Sequence, residues 1–497
     1  MEAVRLAFAR SLLHSDGIAA ELTSRGGTAT PMEGESPMPT DQVAVAAAGA
    51  LVAPSGRSGA SLLLPAVGLA ALAAFVALAV ADGALYKRVI DLWSFHPEVS
   101  PFVDLEGPLA WIRCWRDGMD VFLETTCDIF DRPLNYSPLI LHLPLPTVQP
   151  ESKPAYGVLL AALFFVSLAV LPRPRTRSGA ALLLLALFSP FCMFGLERGN
   201  LDLLMFAAVA FAVLCLERGL SVRLLGYAVI VAAGLLKFYP WVLLLLLLRE
   251  RPVVFLLASS VFAVVLGSFV VGYHDELGRV LDNLPQLNPF QDAFGASQLA
   301  NGLVIVTHGL HAPPDQGDTL DVVIGWGITL VVYGAVLASA VLLARGAALQ
   351  RALGRLSARE AQCLTVSAVV MCGCFFAGAS IGYRAVMLLF ALPGLLVLAR
   401  EADDWRLAWL VRGALAAAFL LIWSLPIQRL INRVFGQFWV PTGSTAGPVW
   451  TPVPGLAFWV LREALWWWLM LVLLAIVMRM ILASRIWNDA LRWVAKA

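Results

Sequence analysis

At 497 residues the chain has the length of about three soluble domains, yet 60% of its residues are hydrophobic and only 14% charged, with a mean hydropathy of +0.79. Soluble domains average about 45–50% apolar and about 25% charged residues, so a cytosolic multidomain enzyme, a fibrous chain and a disordered chain are all excluded. The formal net charge of +1 says little taken whole, because in a membrane protein the information lies in how charge is distributed over the loops.

The first 58 residues are rich in Gly, Ala, Ser, Thr and Pro, and their longest apolar stretch, 43–53, is too short to cross a bilayer. They read as a disordered cytoplasmic tail. Apolar runs then recur at roughly 61–81, 155–172, 179–196, 201–216, 222–236 and 239–248, and again at 253–272, 321–344, 361–380, 385–399, 407–426 and 464–483. That pattern predicts an all-α polytopic domain over 59–483 with about twelve spans, followed by a cytoplasmic tail at 484–497. Several runs fall short of the ~17–25 residues a span needs and end at a charge, so they tilt or penetrate partway. Within 222–248, Lys237-Phe238-Tyr239-Pro240 marks a turn between two half-length helices.

The loops alternate in character. One set is basic, with Arg173, Arg175 and Arg177, then Arg218 and Arg223, Arg249 and Arg251, Arg345 to Arg359, and Arg400 to Arg412. By the positive-inside rule these face the cytoplasm, as do both termini. The other set faces outward: large loops at 82–154, 273–320 and 427–463, and tight turns at 197–200, 237–240 and 381–384. The first large loop holds eleven acids against six bases. Its Leu105, Leu109, Ile112, Trp115 and Met119 follow a helical period, which predicts an amphipathic helix lying along the membrane interface. Cys114 and Cys127 share this loop and could pair in an oxidising compartment; the other five Cys read as small core residues. Trp466-Trp467-Trp468 reads as an interfacial aromatic belt, and Gly373 and Gly378 as points of close helix approach. His274, His308 and His311 in the second large loop read as solvated.

Charged residues at the outer helix ends need a reason, since a cation at the centre of a span costs roughly 2.5–3.5 kcal/mol on insertion scales. Snorkelling, or local pairing of Arg198 with Glu197 or Asp202, accounts for any one of them. Arg198, Lys237 and Arg384, however, come from three turns of the same parity and so share one membrane level. Three cations converging near the outer leaflet suit a phosphate headgroup, with arginine binding it bidentately and lysine as a point charge. The acidic loop above them offers a general base. No carboxylate stands in the middle of the longer spans, where ion-coupled transporters place theirs.

The order of motifs is also familiar. Asp104 in the first outer loop is followed by Gly118-x-Asp120-Val121-Phe122 and by Asn135-Tyr136-Ser137-Pro138-Leu139. Later come Glu197-Arg198-Gly199-Asn200, Leu236-Lys237-Phe238-Tyr239-Pro240, and Tyr383-Arg384 ahead of Pro393. Over roughly residues 60–400 this resembles the GT-C glycosyltransferases, and most closely glycosyltransferase family 87. The resemblance implies an inverting membrane enzyme that moves a mannose- or arabinofuranose-type sugar from a polyprenyl-phosphate donor to a glycolipid or glycan acceptor. The active site would face the periplasm from the inner membrane. It implies Asp104 as catalytic base, with Asp120 as the alternative. Arg198, Lys237 and Arg384 would bind the donor phosphate, and Glu197, Asn200, Tyr239, Tyr383, Asn135 and Tyr136 would contact substrate. Protein cations can neutralise a monophosphate leaving group, so no cofactor and no metal is obligatory, although loop carboxylates could hold a divalent ion. The partners expected are the donor, the acceptor and the lipid bilayer, with no nucleic acid. Two rival readings use the same features: a transporter or flippase of lipid-linked sugars, and a non-catalytic relative acting as a partner subunit.

Overall fold

The computed structural model describes residues 62–94, 100–123, 126–284, 287–311, 319–436 and 453–496; the predicted N-terminal tail lies outside them. Regular structure in these residues is helical, apart from two-residue strands Ala293–Phe294 and Ser380–Ile381, which pair antiparallel with Ala293 opposite Ile381.

Among the described residues nine helices are long and apolar enough to cross a membrane, or ten if the Arg177–Leu187 and Pro190–Arg198 pair, bent by 44°, forms one span. Every apolar run predicted from the sequence falls on a helix, but three depart from a full span. Pro190, with no N–H to donate, breaks the first at Ser189. Asp202–Leu216 has only 15 residues, a rise of ~22 Å against ~30 Å of hydrocarbon. Tyr239–Arg249 winds its 11 residues as a 3-10 helix, whose steeper ~2.0 Å rise per residue gives a similar length. The turn predicted at Lys237–Pro240 is present, made by Phe238 at φ 35. Only its second arm is short, because Leu220–Lys237 is a full 18-residue helix. The two arms pack closely because Gly234 leaves room for Trp241; a Cβ there would lie 1.9 Å from the indole.

The centre of the bundle is the Gly382–Glu401 span, 83% buried, beside Ala358–Ala377, whereas Pro252–Gly272 is only 11% buried at the periphery. Phe206 stacks on Phe390 at 4.3 Å between ring centroids. Gly373 does bring helices together, since a Cβ there would meet Val242 at 2.6 Å. Gly378 does not: nothing lies near its Cβ position, and it instead ends the Ala358–Ala377 helix in extended backbone. The tryptophan triplet is not an interfacial belt either. Trp466 and Trp467 are buried, packing on Phe294, Phe375 and Tyr333, while Trp468 lies against Trp409.

The two ends of the bundle differ. At one end the basic loops are tied down by carboxylates: Arg175 binds Glu360 and Glu401, Arg223 binds Glu250, and Arg359 binds Glu217. At the other, the long first loop forms a cap. Its helix, Glu106–Arg116, buries Leu109, Trp111, Ile112 and Cys114 against protein. The predicted amphipathic helix therefore lies not on the membrane but on the rest of the cap, through Val148 and Tyr156 on one side and Leu134 and Val280 on another. A Cys114–Cys127 disulfide, with Cα atoms 6.5 Å apart, closes the loop. The second large loop joins the same cap through Asn283, which donates to the carbonyls of Phe122 and Leu134 at 2.9 and 3.1 Å.

Candidate active site

The approach of Asp104 to the bundle begins with a glycine. Gly199 ends the Pro190–Arg198 helix at φ +62, the left-handed conformation that favours glycine at this position. A Cβ on Gly199 would also lie 3.0 Å from Phe102 Cβ, so its absence lets the first loop approach. Phe102 itself adopts φ 63, an uncommon state for a bulky residue. It is held there by its N–H donating to the Glu197 carbonyl at 2.6 Å and by its ring filling the space over Gly157, where a Cβ would lie 2.2 Å away. The short 3-10 turn Val103–Leu105 follows, and Asp104 projects from it.

Asn200 is the hub on which the site is built. Its Nδ2 donates to Asp104 Oδ2 at 2.8 Å, while its Oδ1 accepts from Lys237 Nζ at 3.0 Å and from the Asp202 N–H at 3.0 Å. Lys237 Nζ also lies 2.9 Å from Asp202 Oδ1, and Arg384 Nε lies 3.9 Å from Asp202 Oδ2. Asp104, Asn200, Lys237, Asp202 and Arg384 thus form one continuous polar chain through the first loop and three helix ends. The three tight turns of common parity do converge, bringing Arg198 to 3.9 Å from Asp104 Oδ1 as well.

Aromatic rings wall the chain. Lys237 Nζ sits 5.1 Å from the Tyr136 ring and 5.9 Å from that of Tyr383, and the Arg384 guanidinium lies 4.5 Å from the Tyr239 ring. These are cation–π distances. Tyr136 packs in turn against Trp111, tilted by 57° with ring centroids 5.7 Å apart, and burial pushes its hydroxyl above the usual phenol range. Glu197 is fully buried and accepts from Tyr86 Oη at 3.3 Å, with Arg198 Nε 3.7 Å away. Asn135 is half-buried beside Tyr136, and no described hydrogen bond ties it to the cluster.

Asp120 lies elsewhere. Its carboxylate is 45% exposed and meets Arg279 of the second large loop at 2.6 Å, which holds its pKa below the usual carboxylate range.

Three members were not singled out as site residues from the sequence. Asp202 was visible only as a local partner for Arg198, yet it is the buried counter-ion of Lys237 and Arg384. Arg132 reaches 3.8 Å from Asp104 Oδ1 and is itself gripped by the buried Asp128 at 2.7 Å. Nothing in the loop's spacing marks either of that pair. Counted together, Asp104, Asp128, Glu197 and Asp202 balance Arg132, Arg198, Lys237 and Arg384. Among the described residues no group of three His, Cys, Asp or Glu is placed to hold a metal.

The arrangement offers one accessible carboxylate, 18% exposed, beside two arginines, Arg198 and Arg384, each 17% exposed. Lys237 stands deeper, at 9%. An accessible carboxylate and a cationic surface therefore lie side by side at one end of the bundle. Residues 136–373 match the family model of glycosyltransferase family 87, a stretch that holds Tyr136, Glu197, Arg198, Asn200, Asp202, Lys237 and Tyr239. No curated protein and no solved structure matches the chain. The family match, the multi-span helical fold and the convergence of the motif residues agree, and together they support a membrane glycosyltransferase similar to family 87.

Proposed function

We propose that the protein transfers a mannose- or arabinofuranose-type sugar from a polyprenyl phosphate to a glycolipid or glycan, with inversion. The basic loops gathered at the opposite end support placing the site at the periplasmic face of an inner membrane. The observation that carries this reading is the polar chain from Asp104 through Asn200 to Lys237, Asp202 and Arg384.

In this mechanism Asp104 accepts the proton of the acceptor hydroxyl as that oxygen bonds to the anomeric carbon. The bond from the anomeric carbon to the phosphate oxygen breaks on the opposite face. Arg198 and Arg384 take up the charge growing on the departing polyprenyl phosphate, and Lys237 adds its field from behind. Asn200 positions Asp104, and the Tyr136, Tyr239 and Tyr383 rings form the walls against which the sugar is oriented. A monophosphate leaving group is neutralised by these cations, so no step calls on a metal. Asp120, exposed and paired with Arg279, is left out of the reaction.

Purified protein in liposomes, supplied with radiolabelled polyprenyl-phosphate sugars and a crude glycolipid pool, tests the proposal. Asp104→Asn should lower transfer by about 10²–10⁴-fold, the span of general-base contributions, while Asp120→Asn stays close to wild type. Loss with Asp120→Asn alone would move the base to that residue. Movement of lipid-linked sugar between leaflets without transfer from any donor would sink the transferase reading.

A further inference from the structure

A groove opens on the bundle surface between the Arg177–Leu187 and Trp405–Ile422 helices, away from the transfer site. Its larger, more open part, about 470 Å³, is walled almost wholly by apolar side chains, among them Leu182, Leu185, Leu415, Phe419 and Trp423. A second cavity of about 310 Å³ continues it toward the basic end, and the two share Leu182, Arg412 and Leu415. Leu185 and Leu420 at its rim are 45% and 47% exposed, so in a bilayer the groove faces lipid.

The charge at its basic end is unbalanced. Arg173, Arg175, Arg400 and Arg412 line the second cavity against only Glu360 and Glu401. Both carboxylates are already engaged by Arg175, at 2.5 and 2.7 Å. Among the described residues Arg173, Arg400 and Arg412 have no carboxylate within ion-pair distance. Arg412 Nε donates to the Ala399 carbonyl at 2.9 Å, which holds its guanidinium toward the end of the Leu388–Glu401 helix, level with Arg400. The site is a three-arginine head above an apolar slot.

We propose that this groove binds one anionic phospholipid, its phosphate on Arg173, Arg400 and Arg412 and one acyl chain along the slot toward Trp423. Charge complementarity selects an anionic over a zwitterionic head. From Arg412 to Trp423 the slot runs eleven residues of helix, ~16 Å, close to half of the ~30 Å hydrocarbon core. That length suits an acyl chain confined to one leaflet rather than a polyprenyl chain, which is longer. The inference rests only on the chain spanning a membrane, not on sugar transfer.

Delipidated full-length protein in mild detergent, titrated with phosphatidylglycerol, phosphatidylcholine or polyprenyl phosphate and read by native mass spectrometry, tests it. Phosphatidylglycerol should bind preferentially, and Arg400→Gln and Arg412→Gln should each weaken it about fivefold, the worth of one basic residue at an anionic lipid surface. Leu415→Trp, which fills the slot, should also weaken it. Arg251→Gln, an exposed arginine at the same end but outside the groove, should leave it unchanged. If Leu415→Trp fails to fold, the two arginine variants decide the matter. Equal retention of phosphatidylcholine, an equal effect of Arg251→Gln, or tighter binding of polyprenyl phosphate would each overturn the proposal. Asp104→Asn should bind phosphatidylglycerol as wild type does, so failure of the transferase mechanism is read separately.

Discussion

Asp202 shows how residue-level electrostatics build this site. It is almost fully buried and faces both Lys237 and Arg384. Removing one member of a buried ion pair leaves the other charge without compensation, at a cost of about 3–5 kcal/mol. Asp202→Asn should therefore lower the thermal unfolding temperature in detergent, and adding Lys237→Met to that variant should recover part of the loss by removing a stranded cation. Arg384→Gln is expected to act differently, raising the KM for donor more than it lowers stability, because this arginine is partly open and only loosely held at 3.9 Å. Since the four acids and four bases of the site cancel, the phosphate of the proposed donor would compete with carboxylates already near the arginines. On that mechanism, donor affinity would be a difference between two partnerships rather than the filling of an empty cationic hole.

At the level of elements, the site is made by helices that stop short. Pro190–Arg198, Asp202–Leu216 and Tyr239–Arg249 are the segments that fail to cross on their own, and they carry Arg198, Asp202 and Tyr239 at their site ends. A 15-residue helix leaves ~8 Å of the hydrocarbon thickness unfilled, which sinks the polar chain into the bundle. Gly199→Ala tests the joint between them. The left-handed conformation costs a non-glycine residue about 1–2 kcal/mol, and the added Cβ would press on Phe102. Transfer should fall through displacement of Asp104, and Gly157→Ala, which crowds the same ring, should do likewise. Much of this was legible in the sequence. The charges that cut the apolar runs short, and the common parity of Arg198, Lys237 and Arg384, were both visible. What could not be read was which apolar face meets protein and which meets lipid, because lipid tails are as apolar as leucine. For that reason the tryptophan triplet and the Glu106–Arg116 helix read as interfacial, although Trp466, Trp467 and one face of that helix are buried against protein. Asp128 and Arg132 were missed because Arg132 reaches Asp104 only when the irregular first loop folds back on itself, which no periodicity in its sequence marks.

At the scale of the whole molecule, the two large loops act as one cap. The Cys114–Cys127 disulfide closes a loop with a sequence separation of 13, worth about 3 kcal/mol by loop-closure entropy. Cys114→Ser should accordingly lower the unfolding temperature of the cap more than Cys215→Ser, a buried free cysteine of the bundle, lowers that of the spans. The Asp120–Arg279 pair adds a smaller, pH-dependent tie. A carboxyl whose pKa is depressed on folding stabilises above its ordinary titration range, and that contribution is lost as the pH falls through the folded value. With both partners exposed it amounts to less than ~1 kcal/mol. The hydrogen-exchange protection factors of the His274–Asp282 helix, which correct for the intrinsic pH dependence of exchange, should therefore fall modestly below about pH 4, and Asp120→Asn should remove the part of that change due to this pair.

The polar chain also has a temporal meaning. Asp104, Asn200, Lys237 and Arg384 emerge from the ribosome far apart in time, and the first loop leaves the tunnel long before its last counterpart exists. Phe102 and Asp104 can dock on Gly199 and Asn200 once the early spans are in place, but Asp202 acquires its second cation only with Tyr383-Arg384. An interrupted chain therefore lacks the completed site, whatever the quality of its early helices. Donor binding should switch on abruptly in a series of C-terminal truncations, at the length that first includes the Gly382–Glu401 span.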